Sequence, residues 1–391
     1  MLTQWPVSIL NVYHQSAEPM KRTLDELAKK NGWGDAPKHM HAIRPITRNL
    51  PVASSCKHFG ILLDKTSCGL ETYSCKKHGT CSWQPAAKLK LCDTCGDFSA
   101  TWRTVHINEK TYGVDRGGKR FNATMIPWKD GYLLAWRASW EDADIEVVTL
   151  DKDYRETMKP RPLRLGTKKA LAGREDPRLF LFRGVPHIWY TGWQGGYENT
   201  YEQATVHYAE LDPDRWKVVA KYHPHITWRA NWEKNHGYFQ RGGELYAVYS
   251  INPHRVMKIV GKDVVDDWVT QYEPTRNDYG QMRGGASPWM HNGEFYNFFH
   301  HMTEAHGYRL YSVGVYTFST DPPFPVRRMS IQPIDVAEVN RVKLIDVLFP
   351  AGAFPQGDEW VVTMGLHDES SIIRHYPQSY IERSLVPVKG Y

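Results

Sequence analysis

Residues 173–192, GREDPRLFLFRGVPHIWYTG, place an apolar run, the pair Arg183-Gly184 and a second apolar run in direct succession. A glycine-bearing turn between two runs rich in aromatic and branched side chains reads as a β-hairpin. The same arrangement recurs in KDGYLLAWRAS (129–139), RGGELYAVYSI (241–251), HNGEFYNFFHH (291–301) and PQGDEWVVTMG (355–365), in a region where helical spacing of apolar residues is scarce. The pivotal glycines Gly131, Gly184, Gly243, Gly293 and Gly357 lie 53, 59, 50 and 64 residues apart. Recurrence at roughly 50 to 60 residues suits one four-stranded sheet per repeat. The expected fold class is therefore all-β, a five-bladed β-propeller.

Ahead of each turn, at the start of the preceding strand, stand Asn122 in FNATMIPW, Asp176 in GREDPRLF, Lys234 in WEKNHGYF, Ser287 in RGGASPW and Pro350 in VLFPAGAF. If these strands are innermost, the five positions converge on one end of the central channel, where a propeller collects ligand groups from every blade. Arg174, Glu175, Asp176 and Arg178 are an unusual concentration of charge at a strand entry. Strand alternation sends Glu175 and Asp176 to opposite faces. Asp176 is thus expected in the channel, and Glu175 in a structural ion-pair lattice with Arg174.

The chain has 391 residues, enough for one large domain or two ordinary ones. Its 15 Trp and 22 Tyr favour strands or sugar-facing surfaces. The charge of +6 arises from 49 basic and 43 acidic residues without a long basic run, so a nucleic-acid partner is not expected. The start, MLTQWPVSILNVYHQ, lacks the basic and apolar regions of a signal peptide, and no later stretch is apolar enough to span a membrane. A cytoplasmic protein is expected.

Three regions follow. Residues 1–50 hold a strand and helix extension, in which Ser16 is placed as N-cap, Met20, Leu24 and Leu27 share one helical face, and Asn31-Gly32 is a stop. Residues 51–100 contain all six cysteines. There Cys56-x-His58, Cys75-x-x-His78-x-x-Cys81 and Cys92-x-x-Cys95, with Cys68 as a single further ligand, have spacings that let thiolates and imidazoles share a tetrahedral ion. One or two structural zinc ions are expected, with an iron–sulfur cluster as the alternative and disulfides or unligated thiols as the reading without a metal. Residues 101–391 form the propeller. The cysteine segment also looks like Cys-rich modules that accompany some bacterial glycosyltransferase-like proteins.

At the five repeats the chain resembles glycoside hydrolase family 130, the five-bladed propellers that include β-mannoside phosphorylases and β-1,2-mannosidases. The matching elements are FNATMIPWKDGYLLAWRA, EDPRLF, EKN, RGGASP, FFHH and FPAGAFPQGDEWVVTMGLHD, in that order. The resemblance implies an inverting phosphorylase or hydrolase acting on an oligosaccharide or glycoside, with Asp176 as general acid through the mannose 3-hydroxyl and inorganic phosphate as co-substrate. Such an acid must be protonated at working pH, so its surroundings must raise its pKa. The resemblance also implies a phosphate cluster of Lys234, Arg137, His300 and Arg178, with Arg283 a further member, sugar ligands Asn122 and Asn235, and a late acidic position at Asp368. Arg178 is a phosphate ligand if it faces inward and a strand anchor if it does not. Hydrolysis would use Glu233 or Asp368 to activate water. His236, Leu366 and His367 depart from the family pattern. The alternatives are a glycosyltransferase on the same propeller using an activated sugar donor, and a glycan-binding protein without turnover. The oligomeric state is open.

Overall fold

The computed structural model describes residues 59–62, 72–75, 79–80, 103–107, 120–138, 145–165, 173–194, 203–228, 230, 232–275, 281–305, 308–331, 333–336 and 345–390. The expected N-terminal helix and the ligands Cys56, His58, Cys68, His78, Cys81, Cys92 and Cys95 lie outside these residues, and of Cys75 only the backbone, in strand Thr72–Cys75, is described. Among the described residues no group of three or more His, Cys, Asp or Glu could hold a metal ion. Among them, too, no helix is long and apolar enough to cross a membrane. The chain divides into two compact units: residues 1–101 with 303–310 and 336–346, and residues 102–302 with 311–335 and 347–391. The first unit contains a small antiparallel sheet of Phe59–Leu62, Thr72–Cys75 and Gly79–Thr80.

The second unit is all-β and propeller-like, with a single described helix, Gln378–Ser384. Four of its sheets are four-stranded and antiparallel. They are built from Phe121–Trp128, Gly131–Arg137, Ile145–Leu150 and Arg161–Pro162; from Gly173–Phe182, Val185–Gln194, Gln203–Asp212 and Lys217–Tyr222; from Gly237–Arg241, Glu244–Ser250, His254–Val260 and Asp263–Thr270; and from Leu348–Gln356, Glu359–Leu366, Ser370–Pro377 and Arg103–Ile107. In the last of these, Arg103–Ile107 pairs with Ser370–Pro377, so strands from the two ends of the unit complete one sheet. The remaining expected hairpin, Trp289–His291 with Glu294–Ala305, belongs to a branched sheet of eight strands.

All five expected hairpins are present. Three have two-residue loops with both residues in left-handed backbone, at Arg183-Gly184, Gly242-Gly243 and Asn292-Gly293, as the twist of paired strands demands. The first hairpin corrects the sequence reading. Its loop is Lys129-Asp130, and Gly131 already lies in the next strand. The glycine serves a close approach, since a Cβ there would lie 2.0 Å from the Leu150 carbonyl oxygen.

Consecutive sheets bury both faces against their neighbours. In the second sheet Leu179, Ile188 and Tyr190 pack with Leu133 and Val147 of the first. The intervening residues Phe180 and Trp189 pack with Tyr238, Leu245 and Met257 of the third. Phe239 and Tyr246 of the third meet Phe295 and Phe318 of the branched sheet. Tyr296 and Phe298 of that sheet meet Trp360, and Phe354 and Val361 close against Met125 and Leu134 of the first sheet. A sheet buried on both sides has no polar face, which is why LFLF and HIWY are near-continuous apolar runs. The outermost strands do alternate: Lys217–Tyr222 exposes every second residue.

Gly131→Ala is expected to lower stability by about 1–3 kcal/mol, because the strand must move away from Leu150. Urea unfolding measures this as a lower midpoint at unchanged slope. A midpoint equal to that of the wild type would show that the close approach carries no constraint.

Candidate active site

The backbone is irregular at or just before the first strand of each four-stranded sheet. Asn122, Asp176 and Asn235 adopt left-handed backbone, with φ of 53°, 51° and 63°. The pairing slips between Phe121 and Thr124 in the first sheet, opposite Trp189 to Thr191 in the second, and between Pro350 and Gly352 in the last. Asn and Asp are the non-glycine residues that tolerate this backbone best, and a bulge there turns a side chain off the strand's regular path. In the third sheet the irregular position is Asn235, not Lys234. Asn235 is pressed close to Gly284, where a Cβ would lie 1.9 Å from the Asn235 carbonyl oxygen.

These irregularities gather residues that are far apart in sequence. Asn122 Nδ2 donates to Asp176 Oδ1 at 2.9 Å and lies 3.4 Å from Asp368 Oδ1. One amide therefore spans two carboxylates, whose contacted oxygens are no more than about 6.3 Å apart. Gly365 makes room for it, since a Cβ at that position would sit 1.8 Å from Asn122 Oδ1.

Beside this pair, Arg137 Nη2 lies 3.0 Å from Glu175 Oε1 and Lys234 Nζ donates to Glu175 Oε2 at 2.9 Å. The expectation for Glu175 is thereby corrected. Left-handed backbone at Asp176 and the adjoining bulge break the alternation, and Glu175 joins the two cations that also act on Asp176. Lys234 lies over the Trp193 ring at 4.3 Å and Arg137 over Phe121 at 5.1 Å. Glu175, Asp176, Lys234, Asn235 and Asp368 keep partial exposure, whereas the apolar residues following them on their strands are buried.

Arg178 is a strand anchor. It is fully buried. Its Nε donates to the Gly285 carbonyl at 2.6 Å, and its Nη1 donates to the carbonyls of Asp176 and Pro177 at 3.0 and 3.1 Å. The guanidinium lies 4.2 Å from the centre of the Phe349 ring. His300 is buried against the same Phe349 and against Tyr311. Arg283 bonds Gln281 Oε1 at 2.6 Å. Arg283 and His300 thus sit together on a neighbouring pair of strands, and His300 shares the Phe349 ring with Arg178, which bonds the Asp176 carbonyl.

Electrostatics divide the carboxylates. Burial would raise Asp176, but Lys234, Arg178 and Arg137, together with the Asn122 bond, hold it below the usual carboxylate range. This reverses the raised pKa expected for it. Burial and the nearby Asp176 charge instead push Asp368 up to about 6. Two carboxyls this close titrate as a coupled pair, in which Asp368 is shifted upward and Asp176 downward. Burial and the cations Arg178 and Arg283 keep His300 neutral, well below the ordinary imidazole range.

Solved structures with the same architecture include a β-1,2-mannobiose phosphorylase from Listeria innocua, 15% identical over 72% of this chain and 99% of that one, with a TM-score of 0.54. A glycosyl hydrolase from Bacteroides ovatus is 12% identical over 70% of this chain and 87% of its own, with a TM-score of 0.52. The likeness is one of fold. No protein-family model and no curated protein sequence matches the chain.

Asp368 has a higher pKa folded than unfolded, so it contributes stability that is full below about pH 4 and lost as pH rises through about 6. Asp368→Asn is neutral throughout. It is expected to unfold at higher urea than the wild type at pH 8 and at nearly the same urea at pH 4. An equal difference at both pH values would contradict the assignment.

Proposed function

We propose that the protein is a carbohydrate-active enzyme, an inverting glycoside phosphorylase acting on β-mannosides or similar glycans. The observation that carries this reading is the Asp176–Asn122–Asp368 bridge beside Arg137 and Lys234, which pairs a proton-holding dyad with fixed cations in one partly exposed cluster. On this reading the branched eight-stranded sheet counts as the fifth blade. Its packing between the third sheet and the last supports that.

Phosphate as nucleophile needs cations and donors in place of a base. Glu175 holds Arg137 and Lys234 together and cancels one of their two charges, leaving a net positive seat. Lys234 uses one of its three donors on Glu175. A phosphate oxygen forms the new bond to the anomeric carbon while the bond to the glycosidic oxygen breaks. The leaving oxygen takes its proton from the dyad through the sugar 3-hydroxyl, as the family resemblance implies for Asp176. Phosphate bound at Lys234 and Arg137 also offsets the charges that keep Asp176 ionised, so binding of the nucleophile raises Asp176 toward a proton-donating state. Asn122 and Asn235 act as sugar ligands on this reading, as the family resemblance implies. Arg178 holds the strand that carries the acid.

Hydrolysis by inversion would need a water between two carboxyls roughly 6.5–9.5 Å apart. The bridged oxygens of Asp176 and Asp368 are closer than that range, and Glu233, the other carboxylate considered for activating water, is buried.

The test is incubation with β-1,2-mannobiose with and without inorganic phosphate. Mannose 1-phosphate is expected only with phosphate, and Asp176→Asn is expected to lower its formation by roughly 10²–10⁴-fold. Free mannose released equally in both conditions would replace phosphorolysis with hydrolysis. Product formed only from an activated sugar donor would point to transfer, and binding without any product to a glycan-binding protein.

A further inference from the structure

Among the described residues Trp232 is the one tryptophan or tyrosine that stands out as strongly exposed, with 55% of its surface open to solvent. It is not a loose side chain. Trp232 forms a parallel bridge with Ala204, and the next residue, Glu233, donates its backbone N–H to the Ala204 carbonyl at 2.8 Å. Its ring meets Trp193 edge-on, with centroids 5.1 Å apart. Trp193 is nearly buried, and its face carries the Lys234 ammonium at 4.3 Å. Trp193 also pairs with Gly173 at the end of the second sheet where Glu175 and Asp176 enter. A continuous aromatic step therefore leads from the cationic cluster outward to solvent.

Trp232, held by backbone pairing and by its edge-on contact with Trp193, still keeps more than half of its surface in water. The geometry points to Trp232 as a stacking platform for a pyranose ring, whose axial C–H face packs on an indole while its equatorial hydroxyls stay in water. Because the step starts at Lys234, the ring that stacks is not the one that reacts: it belongs to the next sugar of the chain. We propose that Trp232, backed by Trp193, forms this outer subsite and sets a preference for substrates longer than a disaccharide. This rests on the reading of the cluster as a glycoside-processing site.

The test compares β-1,2-mannobiose with β-1,2-mannotriose on wild type, Trp232→Ala and Trp232→Phe, reading kcat/KM in the presence of phosphate. The wild type is expected to favour the trisaccharide by roughly tenfold, Trp232→Ala to lose most of that preference, and Trp232→Phe to keep most of it. Binding of both sugars to Asp176→Asn, followed by tryptophan fluorescence, is expected to show the same dependence on length, and its loss on adding Trp232→Ala. Turnover with an unchanged length preference in Trp232→Ala overturns the subsite and leaves the proposed function standing. Failure of the wild type to bind or process either sugar overturns the proposed function, and the subsite with it.

Discussion

The left-handed backbone at Asn122 and Asp176 is the constraint on which the candidate site depends. A regular strand would send alternate side chains into the two flanking sheets, where mostly apolar residues are packed. The bulges interrupt that rule at the strand entries, so that Asn122 reaches Asp176 while Glu175 reaches Arg137 and Lys234. Such backbone costs about 1–3 kcal/mol at a non-glycine residue and persists where the surrounding structure holds it. Here the holding groups are visible: Arg178 bonds the carbonyls of Asp176 and Pro177, and Gly365 leaves the space that Asn122 occupies.

Charge is arranged with similar economy. Three cations face two carboxylates at the Asp176 end, and burial together with the nearness of those two pushes a third carboxyl, Asp368, up to about 6. An anion arriving at Lys234 changes this balance directly, since the cations that would bind it are those holding Asp176 ionised. On the proposed function, nucleophile binding and proton availability are coupled through the same side chains, without a moving part. The aromatic surfaces under Lys234 and Arg137 limit water on one side of each cation, which strengthens their action on the carboxylates.

Much of the fold was legible in the sequence because hairpin chemistry is local. Arg183-Gly184, Gly242-Gly243 and Asn292-Gly293 announce their turns by residue type, and each is a turn in the structure. Gly131 was misread because a glycine needed for a close approach and a glycine needed for a turn look alike in sequence. At the site, Asp176 and Asn122 were found through residues that match the family's motifs. Glu175 was misplaced, since strand periodicity assumes a regular strand and a bulge is invisible to it. The pKa order of Asp176 and Asp368 was equally out of reach, because it depends on which cations end up within a few ångströms of which carboxyl.

By itself, then, the sequence determined the all-β class, the five hairpins and their order, and the concentration of charge at the second strand entry. Each of these follows from contacts between residues near in the chain. Tertiary structure decided which charges meet. Asn122 and Asp368 are 246 positions apart and meet where the Asn122 amide donates to the Asp368 carboxyl, a proximity set by packing the last sheet against the first. It also decided that Arg178 anchors the strand while Lys234 remains partly exposed, because burial depends on what the neighbouring sheets cover and not on the residue's type.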